Sequence, residues 1–182
     1  LSVDGEHQVE FLAVDKAGRV AATSLITKID QTPPILAPVL TGTIGWNNWY
    51  TSPVTLQANA QDATSGIASV QPAPTFSVSQ DGPHQVDWIA QDAAGNTVSA
   101  SSTFQIDQTP PVLAFDPLPG VLTGEVLLSG QAADATSGLA TLEVSTTNGL
   151  LWQEVAVQAD GSWSLPWNTL GFPGGQALVR AR

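Results

Sequence analysis

Aspartates that recur at fixed places are the residues of this chain best suited to chemistry. Between Ile29 and Val179 the sequence contains twelve carboxylates and no Lys or Arg that could neutralise them. Carboxylate oxygens are the ligands that hard divalent cations, calcium in particular, prefer in proteins. The candidate calcium ligands are Asp30, Asp62, Asp92, Asp107 and Asp134. The alternative interpretation is that each aspartate only accepts backbone N–H groups in its own turn.

A cluster of aromatic residues forms the second candidate site. Trp46, Trp49 and Tyr50 lie within one short stretch, GWNNWY, beside two asparagines. Aromatic rings stack on the apolar faces of sugars, and amides hydrogen-bond sugar hydroxyls, so the cluster is a candidate carbohydrate-binding site. The alternative is that these rings pack along the edge of a domain.

The two histidines are expected to have a structural role rather than a catalytic one. His7 and His84 follow the same Asp-Gly turn in two copies of one motif, and a packing or turn residue recurs in this way more readily than a catalytic one. Neither is accompanied by a cysteine or serine motif typical of a catalytic triad. No glycine-rich phosphate loop is present in the sequence. We therefore predict that this segment is not an enzyme.

Composition excludes several classes of partner. The formal net charge of −11 leaves too few cations to neutralise phosphates, so nucleic acid is not an expected partner. No apolar run approaches the roughly 18 residues of a membrane span, so no membrane insertion is expected in this segment. The chain has no cysteine, which excludes disulfides and favours a bacterial source for an exported protein. Extracellular or cell-surface localisation is the resulting expectation, with any export signal or anchor outside this segment.

Internal repetition determines the predicted domain organisation. The stretch 4–36 matches 81–113 at 17 of 33 positions, with an offset of 77 residues throughout. A third copy is marked by DATSG at 134–138, which lies 72 residues after DATSG at 62–66. Such a period is typical of an array of small domains. It predicts the end of one repeat at 1–34, a complete repeat at 35–111 and a repeat lacking its last strand at 112–182.

Short alternating segments predict the fold class. Residues 54–61, 84–91, 97–106 and 162–167 alternate apolar with polar side chains, and no segment sustains a helical period. Asp-Gly pairs at 4–5, 81–82 and 160–161 suit tight hairpin turns. The double prolines at 33–34 and 110–111 indicate stiff linkers. The sequence therefore predicts an all-β protein of antiparallel sandwiches joined by Pro-Pro linkers.

The order of motifs carries a family resemblance. GWNNWYTSPVTLQANAQDATSGI, then DGPHQVDWIAQDAAGNTV, then FQIDQTPP resembles the bacterial immunoglobulin-like (Ig-like) repeats of surface adhesins and large secreted proteins. The resemblance implies tandem Ig-like sandwiches over the whole chain. It also implies that the incoming linker and two loops meet at one end of each domain. That arrangement would bring Asp30, Asp62 and Asp92, with Asn96 nearby, to one junction, and would give Asp107 and Asp134 the matching places in the third copy.

The expected function is mechanical. The chain is predicted to be a spacer segment of a bacterial extracellular repeat protein, an adhesin or surface stalk, whose partners are neighbouring Ig-like domains of the same or an adjacent chain. A second hypothesis is a homopolymer, an extracellular filament or surface layer whose subunits complete each other by strand addition. A third is a carbohydrate-binding module that uses Trp46, Trp49 and Tyr50.

Overall fold

The computed structural model describes residues 3–171 and 177–182, which divide into two compact units, Leu1–Ile106 and Asp107–Arg182. The described residues form strands and no α-helix, so the predicted all-β class is confirmed. No helix in the described part of the chain is long and apolar enough to cross a membrane. The division of the chain into three repeats at 34 and 111 stays a prediction.

From residue 3 onward, the first unit forms eleven strands and one 3-10 turn at Trp46–Asn48. The strands are β1 Gly5–Val14, β2 Val20–Ile29, β3 Ile35–Leu36, β4 Val39–Thr41, β5 Trp49–Tyr50, β6 Val54–Gln57, β7 Ala60–Gln61, β8 Ile67–Gln71, β9 Thr75–Val78, β10 Gly82–Asp92 and β11 Thr97–Ile106. Strands β5-β11-β10-β8 form one sheet and β4-β6-β9 a second, while β3 pairs with β7 and β1 with β2. All pairs are antiparallel except β5 with β11.

Alternation along the strands builds the core between the two larger sheets. Val54, Leu56 and Ala58, on or directly after β6, are fully buried. They face Trp88 of β10 and Ile106 of β11, which are also fully buried. Because side chains alternate across a strand, one face of each sheet enters this core and the other meets solvent. The result is the sandwich that the sequence pattern predicts.

The described residues of the second unit form six strands in two three-stranded sheets. They are β12 Val112–Phe115, β13 Glu125–Ala133, β14 Glu143–Ser145, β15 Gln153–Glu154, β16 Ser162–Asn168 and β17 Arg180–Ala181. The sheets are β12-β13-β16 and β15-β14-β17. Their shared core includes Leu128, Val144, Trp163 and Leu165. Each unit therefore has an apolar core of its own.

One predicted turn is not the hairpin that was expected. Gly82 does take the positive φ that an Asp-Gly turn requires, at 120°. The Asp-Gly pair at 81–82, however, connects β9 to β10, and these strands belong to different sheets. Hairpin turns are found at 15–19 and 92–96, where β1 meets β2 and β10 meets β11. The Asp-Gly pair at 160–161 does form a tight hairpin turn as predicted, between the antiparallel residues Val157 and Trp163. The local sequence predicts the conformation of Gly82 but not which strands pair on either side of the turn, because strand pairing depends on packing in the core.

Candidate metal centre

Three segments that are distant in sequence bring Asp30, Asp62 and Asp92 together. Asp30 directly follows β2, Asp62 directly follows β7, and Asp92 is the last residue of β10. Each offers a carboxylate oxygen, and these three atoms all lie within 4.8 Å of one another. Asp30 and Asp62 are half-buried, and Asp92 is 1% exposed.

Asp62 organises the loop that follows it. Its Oδ1 accepts the backbone N–H groups of Thr64 at 3.1 Å, Ser65 at 2.8 Å and Gly66 at 2.8 Å. The N–H of Gly66, helped by those of Ser65 and Thr64, lowers the pKa of the Asp62 carboxyl. Among the described residues, no hydrogen bond reaches Asp62 Oδ2. That oxygen remains able to accept a ligand.

Asp30 ties the incoming linker to the same loop. Its Oδ1 accepts the N–H of Thr32 at 3.1 Å, within the linker itself. Its Oδ2 accepts the N–H of Ser65 at 3.1 Å, thirty-five residues further along the chain. Ser65 N–H is thus shared between two carboxylates.

Asn96 joins the third loop to the linker. Asp92 Oδ1 accepts the N–H groups of Ala94 at 2.9 Å and Asn96 at 2.8 Å, and its Oδ2 accepts Asn96 Nδ2 at 2.8 Å. The same amide donates to the backbone carbonyl of Asp30 at 3.2 Å. Asn96 therefore holds the β10–β11 turn against the linker.

The second unit repeats two of the three aspartates, those of the linker and of the Ser-Gly loop. Asp107 Oδ2 accepts the N–H of Ser137 at 3.1 Å, as Asp30 does from Ser65. Asp134 Oδ1 accepts the N–H groups of Thr136, Ser137 and Gly138 at 3.0, 2.9 and 2.9 Å, as Asp62 does in its own loop. Within the described residues of this unit, two carboxylates meet here rather than three.

The first copy of the turn contains a cation in place of the amide. Asp15 corresponds to Asp92 and Arg19 to Asn96 at the 77-residue offset. Asp15 Oδ1 accepts the N–H of Ala17 and of Arg19, and Oδ2 accepts Arg19 Nε at 2.7 Å. The backbone N–H of Arg19, with further lowering by its side chain and by the N–H of Ala17, lowers the pKa of the Asp15 carboxyl. The turn is therefore the same in both copies, but the charge beside the carboxylate is not.

Carboxylates this close repel each other when no basic side chain lies beside them, and their negative charge can be compensated in two ways. The backbone N–H groups described above solvate the charges in part, which is what aspartates in turns commonly do. A hard cation would compensate them further, and calcium suits the mixture of carboxylate and carbonyl oxygens present here. The structure brings Asp30, Asp62 and Asp92 together, as the resemblance implies, and that they bind a metal ion stays a prediction.

The aromatic candidates separate into two kinds. Trp49 and Tyr50 are half-buried, and the Tyr50 ring packs edge-on against Phe104 with centroids 6.3 Å apart. Trp46 is 80% exposed. Sequence reasoning grouped the three residues, but only the tertiary structure distinguishes the two that pack from the one that does not.

The histidines have matching structural contacts. His7 Nε2 lies 2.6 Å from the carbonyl oxygen of Val3, and His84 Nε2 lies 2.7 Å from that of Gln80. The His84 ring also stacks on Phe104, with centroids 5.2 Å apart. Both contacts agree with a role in the turn that precedes each strand.

Comparison with known proteins gives a sparse result. No protein-family model matches the chain, and no curated protein matches it. Seven chains of solved structures do match. One of them is described as a tetra-tandem repeat in the extending region of a large adhesion protein, with 22% identity and a TM-score of 0.29. That match covers 98% of this chain, which spans 56% of the other.

Proposed function

We propose that this chain is a non-catalytic spacer segment of a bacterial extracellular repeat protein, an adhesin or surface stalk. The observation that carries the proposal is a contact that occurs twice. An aspartate of the linker accepts a backbone N–H from the following Ser-Gly loop, first at Asp30 and again at Asp107. The residues shared by the copies are turn and linker residues together with one strand face. An array must keep these to hold its domains in line, whereas a catalyst need not.

Mechanical unfolding tests the spacer function. A repeat of 77 residues extends by roughly 25 nm when it unfolds, at about 3.6 Å per residue less its folded length. Pulling the 182-residue chain from its two ends should release lengths of this size in separate force peaks. Smooth extension at low force, without peaks, would show that the copies are not independent load-bearing domains and would contradict the proposal.

We further propose that Asp30, Asp62 and Asp92 bind calcium and thereby stiffen the entry to the central repeat. The support is their 4.8 Å clustering and the absence of Lys and Arg from residues 30–178. Calcium that binds only the folded state raises the melting temperature by mass action. The thermal transition of the first unit should therefore rise on adding calcium and fall again with a chelator.

The chain itself suggests the matched variant. Asn96→Arg places in the central repeat the residue found at Arg19 in the first copy, so a guanidinium would take the place of the ion. This variant should lose the calcium response, so that its melting temperature is the same with calcium and with chelator. Asp134→Asn, in the other unit, is the control and should leave the response of the first unit unchanged. A wild-type melting temperature that calcium does not change would contradict the metal proposal, but not the spacer function.

The filament hypothesis has less support. Strand β17 pairs with β14 through Ala181 and Val144, as β10 pairs with β8 through Ala90 and Val70. This is the place that β1 of another molecule would need if chains joined tail to head. Polymers that grow with protein concentration would nevertheless favour that hypothesis over a simple spacer.

A further inference from the structure

The linker between β2 and β3, residues 30–34, is held by an aspartate that lies outside the cluster described above. Asp4 directly precedes β1, and its carboxylate lies beside the linker because the first residue of β1 pairs with the last residue of β2. Its Oδ1 accepts the backbone N–H of Gln31 at 2.9 Å, and its Oδ2 accepts the hydroxyl of Thr32. The two oxygens of one carboxylate therefore fasten two successive linker residues to the β1–β2 hairpin.

The central sandwich holds the same linker residues. Asn96 Nδ2 donates to the backbone carbonyl of Asp30 at 3.2 Å and lies 3.5 Å from that of Thr32. The N–H of Ser65 donates to Asp30 Oδ2 at 3.1 Å. Both donors belong to loops of the sandwich. Residues 30–32 are thus bonded both to the hairpin before them and to the sandwich after them.

The linker also restricts its own backbone. The N–H of Thr32 donates to Asp30 Oδ1 at 3.1 Å. The rings of Pro33 and Pro34 fix φ at the next two positions, and Pro34 is buried. With Gln31 bonded to the hairpin, each residue from 30 to 34 has a hydrogen bond or a ring that limits its motion. Such a linker behaves as a rigid spacer rather than as a flexible coil.

A different Asp-Gly pair shows that the contact with the linker is not a by-product of the dipeptide. Asp160, in the pair at 160–161, bonds within its own turn, where its Oδ1 accepts the N–H and the hydroxyl of Ser162 at 3.0 and 2.7 Å. Asp4 instead reaches residues 27 and 28 positions further along the chain. Its bonds therefore depend on the end of β2 lying beside it, and not on the following glycine alone.

The residues that form these bonds recur together in the sequence. At the 77-residue offset, Asp4, Gln31 and Thr32 correspond to Asp81, Gln108 and Thr109. A shared hairpin turn does not explain the recurrence of the Asp-Gly pair, because the pair at 81–82 lies between two sheets. A role in holding the linker does explain it, since each repeat of an array contacts its neighbours in the same way.

We propose that the aspartate of this Asp-Gly pair fixes the linker to the preceding repeat, so that the joint at residues 30–34 is stiff without a bound ion. Asp4 holds the joint from the hairpin, and Asn96 holds it from the sandwich. This role deepens the proposed spacer function and rests on it, because a spacer transmits reach only if its joints resist bending. It is separate from calcium binding, since Asp4 is not one of the three clustered aspartates.

Backbone amide relaxation of the full 182-residue chain, measured by nuclear magnetic resonance in the presence of a chelator, tests the role. The order parameters of the Gln31 and Thr32 amides should be about 0.85 in the wild type, the value of rigid backbone. Asp4→Ala should lower both by at least about 0.15, towards the flexible range below about 0.6. The order parameter of Trp88, in the core of the sandwich, should not change.

Matched variants separate the hydrogen bond from other effects of substitution. Thr32→Val removes the hydroxyl but keeps the shape of the side chain, and it should lower the order parameter of residue 32. Thr32→Ser keeps the hydroxyl and should behave as the wild type. Asp160→Ala, in the other unit, is the control and should leave the linker unchanged.

Two results would overturn this role for Asp4. One is an Asp4→Ala linker as rigid as that of the wild type. The other is a wild-type linker that is flexible in chelator and becomes rigid only when calcium is added, which would assign the stiffness to the ion. Neither result bears on the separate force peaks that test whether the repeats carry load, so failure of this role and failure of the spacer function are distinguishable.

Discussion

At the scale of single residues, the two hairpins differ by a coupled exchange. Trp88 Nε1 donates to Ser102 Oγ at 3.3 Å in the core of the central repeat. At the 77-residue offset these positions are Phe11 and Leu25, so the indole N–H and the hydroxyl are both absent from the first copy. A buried indole N–H needs an acceptor, and a buried hydroxyl needs a hydrogen-bond partner. When Phe and Leu replace Trp and Ser together, no polar group is left without a partner. Phe11 and Leu25 thus keep the features of a buried pair although the structure leaves them 53% and 57% exposed.

This coupling predicts a non-additive pair of substitutions. Trp88→Phe alone should lower the free energy of unfolding by about 2 kcal/mol, because it leaves a cavity and an unpaired Ser102 hydroxyl. Adding Ser102→Leu should recover roughly 1 kcal/mol by removing the unpaired group. Guanidinium unfolding followed by circular dichroism measures both. A double variant no more stable than Trp88→Phe would show that the exchange between copies is not coupled.

The turn aspartates predict how stability depends on pH. Hydrogen bonding lowers the pKa of Asp62, with the N–H of Gly66 the largest cause, so the folded state favours the ionised carboxyl. The stabilisation is therefore present above about pH 4, the ordinary range for an unfolded aspartate, and is lost as the pH falls through the folded pKa. Asp62→Asn should flatten the decrease in melting temperature below that pH. Glu10→Gln, at an exposed position, serves as the control, and an Asp62→Asn curve parallel to wild type would contradict the assignment.

At the scale of elements, the same strand is built differently in the two sandwiches. Strand β13 continues the pattern of β6, but Gly130 takes the place of the fully buried Ala58 at the 72-residue offset. A Cβ atom at Gly130 would lie 2.0 Å from the carbonyl oxygen of Ala114 and 2.9 Å from Cζ2 of Trp163. The glycine therefore permits close approach of β12 and of the Trp163 ring.

Exchange of these two residues should have unequal effects. Gly130→Ala must push β12 away from β13, and we expect the free energy of unfolding of the second unit to fall by about 3 kcal/mol. Ala58→Gly in the first unit removes one methyl group and should cost about 1 kcal/mol. Chemical denaturation of each variant measures the two losses. Equal losses would mean that the contact with Ala114 relaxes easily.

At the scale of the whole molecule, the basic residues lie only near the two ends of the chain, whereas carboxylates occur along all of it. The five basic residues are confined to positions 16–28 and 180–182, and two of them are paired with carboxylates, Arg19 with Asp15 and Arg182 with Glu143. A net charge of −11 over 182 residues repels polyanions and keeps such a chain soluble.

This distribution predicts a simple binding result. The chain should pass through heparin and single-stranded DNA columns without retention, even at low ionic strength, because it has no cluster of Lys or Arg to neutralise phosphate or sulfate groups. It should bind an anion exchanger under the same conditions, which serves as the positive control. Retention on either polyanion would contradict the exclusion of nucleic-acid partners.

Sequence by itself determined the all-β class, the repeats and most of the strand positions, since alternation, turn residues and period are local properties. The hairpin strands β10 and β11 were found in this way almost to the residue. The clustering of Asp30, Asp62 and Asp92 was also predicted, but only through resemblance to a family.

Tertiary structure alone decided which strands pair and which side chains remain outside the core. It placed the Asp-Gly pair at 81–82 between sheets and showed Asn96 bridging two loops. It also left Trp46 in solvent while burying part of Trp49 and Tyr50. The physical reason is that local sequence specifies the conformation of a turn, whereas burial and pairing depend on which distant segments pack against it.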